Sequence, residues 1–173
     1  MANQLTILIH YCTIRTGDKM SKLIKAQINR LQKNIQLIRR LMGWSASELG
    51  DKIGVTKQTI SNLERFNSVM TKTQYIAMRT VLDYEINKRE DRIYVMRIIT
   101  FLLDYNDFLH FDQRKIVRTL ACISEAIYKD TDSKTIAAIM NNTLGESCVH
   151  IDIAVAQEFT NRASSLWLEK IIE

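Results

Sequence analysis

The sequence predicts an all-α chain made of two helical modules, and three observations carry that prediction. There is no proline and only 5 glycines in 173 residues, so helix breakers and the usual punctuation of turn-rich sheets are nearly absent. Apolar residues recur three and four apart over most of the chain, the spacing of one face of a helix. Finally, the stretch from Ser45 to Arg65, SASELGDKIGVTKQTISNLER, brings together helix start signals, a stop signal and turn chemistry.

That stretch reads as two short helices and a sharp turn. Ser45 followed by Glu48 is a capping box: the Ser oxygen takes an orphan N–H of the first turn and the Glu reaches back to the cap. Leu49 and Ile53 lie four apart on the apolar side, and Gly54 stands where a left-handed cap ends the helix. Thr56 caps a second helix running to Leu63. Its apolar positions Ile60 and Leu63 share a face, while Lys57, Gln58, Ser61 and Asn62 point elsewhere. Only Gly54 and Val55 remain as linker, so the helices must cross steeply and closely, and Gly50 supplies a position without a side chain where they touch. This is helix-turn-helix geometry.

From about Asn34 to Tyr84, roughly the central third of the chain, the sequence resembles the Cro/CI-type (XRE-like) helix-turn-helix domain of bacterial and phage repressors. The matching parts are Gly50, Gly54 in the turn, Val55 and Ile60 in the core, and Glu64-Arg65 closing the second helix. The resemblance implies a lambda-repressor-like fold in which helix 56–63 enters the major groove of double-stranded DNA. It makes Lys57, Gln58 and Asn62 the base readers, with Ser61 beside them. The chemistry suits this: Lys donates to guanine O6/N7, and Gln or Asn pairs bidentately with adenine N6/N7. The hydroxyls of Thr56 and Thr59 suit phosphate or base. The resemblance also pairs Arg39 with Glu64 as a structural contact. Two positions depart from the family. Ala46 stands where a phosphate-binding Gln is common, so Ser45 or Ser47 must serve, and Phe66-Asn67 replaces a frequent Gly, so Asn67 is expected in the left-handed turn.

Charge divides unevenly along the chain. Residues 1–89 hold 15 Lys+Arg against 6 Asp+Glu, giving +9, and residues 90–173 hold 9 against 13, giving −4, for the total of +5. A basic first half suits a polyanion and predicts binding that weakens steeply with salt. Cys12, Cys122 and Cys148 are odd in number and widely spaced, as expected of reduced thiols in a cytoplasmic protein. No apolar run approaches the roughly 18 to 20 residues of a membrane span, and no basic region precedes the apolar patch Leu5 to Ile9 as a signal peptide requires.

In chain order, residues 1–19 are a leader of uncertain structure, with Leu5, Ile7, Ile9 and Tyr11 alternating as in an edge strand. From Ser21, the positions Ile24, Ile28, Leu31, Ile35, Ile38 and Met42 make one helical stripe. It is longer than the turn needs, and the surplus either pairs with its own copy or docks on the acidic C-terminal half, docking being favoured. Ser68 to Thr73 reads as a polar loop in which Thr71, Lys72 and Thr73 bond phosphates, a positioning role rather than a reading one. Tyr75, Met78, Val81 and Leu82 line the next helix. The charged run Asn87 to Asp91 divides a DNA-binding domain, 20–89, from a dimerisation or sensing domain, 90–173. The latter is a small bundle of four helices. Ile93, Met96, Ile99 and Leu103 line the first; Asp112 caps the second, with Ile116, Leu120, Ile123 and Ile127; Asp132 caps the third, with Ile136 and Met140. Past a break at Gly145, Asp152 caps the last, with Val155, Phe159, Leu166 and Trp167.

Catalysis finds no support in the motifs. Paired carboxylates, a nucleophile elbow and a glycine-rich phosphate loop are all missing, and His110, Cys122, Cys148 and His150 read as ordinary core or surface residues rather than metal ligands. The expectation is therefore a sequence-specific DNA-binding regulator without cofactor or enzymatic activity. The resemblance adds that it represses, and the few base pairs one helix can read imply a homodimer. An effector or protein partner at the C-terminal half would complete it. The alternative is a protein-interaction module, such as an antitoxin or phage-encoded inhibitor, whose helical C-terminal half binds a partner.

Overall fold

The computed structural model describes residues 24–108 and 113–144. Among them seven α-helices and no strand occur: α1 over 24–41, α2 (Ala46–Ile53), α3 (Lys57–Glu64), α4 (Lys72–Asn87), α5 (Arg92–Phe108), α6 (Gln113–Tyr128) and α7 (Ser133–Leu144). The leader 1–19, the cap at Asp112, the break at Gly145 and the Asp152-capped helix lie outside the described residues, as do His110, Cys148 and His150.

The stripe on α1 is buried where its steps of three and four place it: Leu31, Ile35, Ile38 and Met42 are in the core, with Ile24 and Ile28 half-buried against it. Gly43, at φ 74°, ends α1. Its N–H donates to the Arg40 carbonyl and that of Trp44 to the Arg39 carbonyl, so two orphan carbonyls are satisfied and the chain turns into α2.

Two sequence expectations about α4 and α5 need correction. Lys72 and Thr73 are not loop residues: Thr71 is the N-cap of α4, and Gln74 closes a capping box with it, its Oε1 accepting from the Thr71 N–H at 2.9 Å. Thr71-x-x-Gln74 carries the box spacing in plain sequence. On α5, the most deeply buried side chains are Val95, Ile98 and Leu102, with Ile99, Phe101 and Leu103, whereas Ile93 and Met96 are half-buried. The helix packs against α4 and α7 together, so it buries a wide arc rather than one stripe.

One hydrophobic cluster runs through all seven helices, from Leu31 to Leu144. Polar contacts join α1 to the C-terminal helices along the same seam. Asn34 Nδ2 donates to the Leu102 carbonyl at 3.2 Å, Tyr128 Oη donates to Gln36 Oε1 at 2.9 Å, and the Arg40 guanidinium lies 4.3 Å from the centre of the Tyr128 ring. Asp91, in the turn after α4, accepts two bonds from Arg89 at 2.7 and 2.9 Å and one from the Ser133 hydroxyl at 2.6 Å. The Arg89 hydrogen bonds, reinforced by Ser133, hold the Asp91 carboxyl down to about 2.

Candidate nucleic-acid interface

The start of α2 is fixed by its cap. The Glu48 N–H donates to Ser45 Oγ at 3.1 Å, and the Ser45 N–H donates to Glu48 Oε2 at 2.6 Å. Those bonds, the backbone one first, lower the pKa of Glu48. After the eight residues of the helix, Gly54, at φ 73°, closes it with its N–H on the Gly50 carbonyl. A Cβ added at Gly54 would meet nothing within 4 Å, so this glycine answers a conformational demand. Gly50 answers a steric one, since a Cβ there would stand 2.6 Å from the Val55 carbonyl oxygen. The two helices therefore approach at backbone distance across a two-residue joint.

Thr56 starts α3 with its hydroxyl accepting from the Thr59 N–H at 3.1 Å and lying 3.0 Å from the Thr59 hydroxyl. Ile60 and Leu63 are fully buried. On the other side Lys57 and Gln58 are exposed, and Ser61 and Asn62 are half-buried. Gln58 Nε2 donates to Asn62 Oδ1 at 3.0 Å, so these two amides form one unit on the outer face, a contact that follows from their spacing of four. Ser45, Ser47 and Thr56 are exposed and Thr59 half-buried.

Arg39 and Glu64 meet beneath α3. Arg39 Nε donates to Glu64 Oε1 at 2.8 Å, and its Nη1 donates to the Trp44 carbonyl at 2.9 Å. Lys52 braces the other flank, with Nζ 3.0 Å from Glu85 Oε1 and 5.2 Å from the Trp44 ring centre. This Lys52 bond lowers the pKa of Glu85.

The end of α3 departs from expectation. The left-handed residue is Phe66, at φ 59°, and Asn67 is not among the positive-φ residues. The Phe66 N–H donates to the Leu63 carbonyl and the Asn67 N–H to the Asn62 carbonyl, the double closure in which the residue after the cap must be left-handed. Position within that closure overrides the preference of Asn for this conformation. The loop that follows is held from below by Gln32. Its buried amide donates to the Leu63 carbonyl at 3.1 Å and the Ser68 carbonyl at 2.7 Å and accepts from the Met70 N–H at 3.0 Å. Sequence reading missed Gln32, whereas Arg65, which it places at the close of the second helix, is exposed one turn beyond Ser61 and Asn62. Thr71, Lys72 and Thr73 are exposed in the first turn of α4.

Away from this face, the α1–α2 turn, the α4–α5 turn and the α6–α7 loop border a cleft of about 600 Å³ that includes Arg40, Asp91, Tyr94, Asp130 and Lys134. Cys122 is half-buried in α6. Among the described residues no helix is long and apolar enough to cross a membrane, and no cluster of three His, Cys, Asp or Glu residues is arranged to hold a metal.

In comparison with known proteins, residues 35–65 match a family model described as helix-turn-helix. Neither the curated proteins nor the solved structures match the chain. The matched span runs from Ile35 in the core through both caps, Gly50 and Gly54 to Arg65. Residues 35–65 thus match a helix-turn-helix of the XRE/Cro-CI type, a module that in its family belongs to DNA-binding regulators.

Proposed function

We propose that the chain is a sequence-specific transcriptional regulator that works in the cytoplasm as a homodimer and represses by occupying an operator, with α3 in the major groove. The observation that carries this reading is the division of α3. Ile60 and Leu63 anchor it in the core, while Lys57 and Gln58 stand in solvent with Ser61 and Asn62 beside them. Lys57, Gln58, Ser61 and Asn62 read base edges. The Gln58–Asn62 bond supports this role, because it orients an acceptor of Gln58 and a donor of Asn62 outward before any DNA arrives.

Phosphate positioning falls to Ser45, Ser47, Thr56 and Thr59 around α2 and α3, and to Thr71, Lys72 and Thr73 at the start of α4. That helix end favours anions. Ser47 is better placed than Ser45, whose backbone N–H is already engaged by a carboxylate. Arg39 and Glu64 serve as the structural pair. Residues 20–89 contact DNA and residues 90–173 supply dimer or effector contacts. The cleft between Arg40, Asp91 and Lys134 supports an effector reading, since it touches both parts.

Dimerisation follows from energetics: two copies on a near-palindrome roughly double the specific free energy. Selecting bound fragments from random duplex DNA tests the reading, because it returns the site, its symmetry and the half-site spacing together. A symmetric consensus is expected. Failure to enrich any sequence contradicts it.

A further inference from the structure

The end of α3 carries an apolar feature that base reading leaves unused. Phe66 is 60% exposed although its backbone is left-handed, and Val69, three residues on, is 79% exposed. A bulky residue in that conformation is strained, and Gly or Asn would spare the strain with the same closure. The loop is also not free to hide these side chains. Gln32 grips the backbone at Leu63, Ser68 and Met70 from beneath, and Met70 is itself buried. Phe66 and Val69 are therefore presented to solvent at fixed positions, next to the exposed Arg65 on the outer side of α3.

The surrounding charge says which partner suits them. From Arg65 to Leu82 the chain exposes Arg65 and Lys72 and holds no carboxylate, the third cation, Arg79, being buried. Two copies of this segment would repel each other, whereas a polyanion would not. The apolar parts of a duplex that such side chains can reach at its rim are the deoxyribose faces.

We propose that Phe66 and Val69 form a second, apolar contact with the same duplex, packing on deoxyribose beside the phosphates that Arg65 meets. The proposal rests on the reading of α3 as the groove helix. A sugar contact carries neither charge nor base information, so its loss weakens every duplex by the same factor and leaves the salt slope alone.

The test is Phe66→Gly, with Val69→Ser as a second variant, titrated against the selected duplex and a scrambled one at several salt concentrations, alongside thermal melting and sedimentation. Phe66→Gly is expected to melt at or above the wild-type temperature and to bind both duplexes roughly 5- to 20-fold more weakly with an unchanged salt slope. Val69→Ser is expected to follow in the same direction. Wild-type affinity in a folded Phe66→Gly overturns the proposal and leaves the groove reading standing. A dimer that falls apart in Phe66→Gly without DNA overturns it in favour of contact between copies. Wild-type protein that binds no duplex overturns the groove reading and this proposal together.

Discussion

Arg39 and Glu64, 25 residues apart, form an ion pair at 2.8 Å whose side chains are only 14% and 13% exposed, and the same guanidinium holds the Trp44 carbonyl. One side chain of α1 thus fixes both the entrance to α2 and the end of α3. Arg39→Ala leaves a carboxylate and a carbonyl short of partners in a mostly buried place. It should cost roughly 2–3 kcal/mol of stability. Denaturant unfolding beside a DNA titration checks this, with stability falling more than the preference between duplexes.

The two glycines of the turn should respond differently. Gly50→Ala drives a methyl to 2.6 Å from the Val55 carbonyl oxygen, a backbone atom that cannot swing away. The joint must open, at about 1–3 kcal/mol. Gly54→Ala meets no neighbour and suffers only the left-handed backbone, about 1–2 kcal/mol. Crossed with Arg39→Ala in denaturant unfolding, Gly50→Ala should be non-additive, because both shift α3 against its supports, whereas Gly54→Ala should add simply.

Asp91 gives the fold an acid sensitivity. Its folded pKa of about 2 lies below the ordinary value of 3.8 because Arg89, and after it Ser133, bond the carboxylate. A depressed carboxyl contributes stability that is present above the unfolded pKa and is lost as pH falls through the folded one. The window is therefore from about pH 4 down to about pH 2. The group is partly open to solvent, so screening keeps the effect small. Asp91→Asn should lower stability at pH 7 and flatten the slope of unfolding free energy in that window. An unchanged slope would remove Asp91 from the account.

Gln58 and Asn62 should behave as one unit. Removing either frees the other's amide to rotate, so each single Ala variant should cost about 1–3 kcal/mol on the selected site. The double variant should cost less than the sum, and a double-mutant cycle measures the difference. Full additivity would mean that the 3.0 Å bond between them plays no part in recognition.

How much of this could be read beforehand depended on whether the cause was local. Ser45, Glu48, Gly54 and Thr56 were legible because each cap is decided by residues within one turn, and the α1 stripe because its period is. Arg39–Glu64 came only through family resemblance. Gln32 was hidden because nothing near it in sequence says that a polar side chain of α1 lies under a loop more than thirty residues away. Phe66 was misjudged because residue preference was weighed where hydrogen-bond position decided. The wide buried arc of α5 follows from neighbours on two sides, which periodicity alone does not report. The box Thr71–Gln74 was local and readable, yet its polar residues passed for loop.

The central claim is that the outer side chains of α3 read bases. Its most direct test is a titration of wild type and of the triple variant Lys57→Ala/Gln58→Ala/Asn62→Ala against the selected duplex and a scrambled one over a range of salt. Wild type should prefer the selected duplex by a factor on the order of 10³ or more. The folded triple variant should lose that preference and keep salt-dependent binding to both, and Lys72→Ala should weaken both alike with a salt slope smaller by about one. A triple variant that still discriminates, or wild type that never did, would contradict the account.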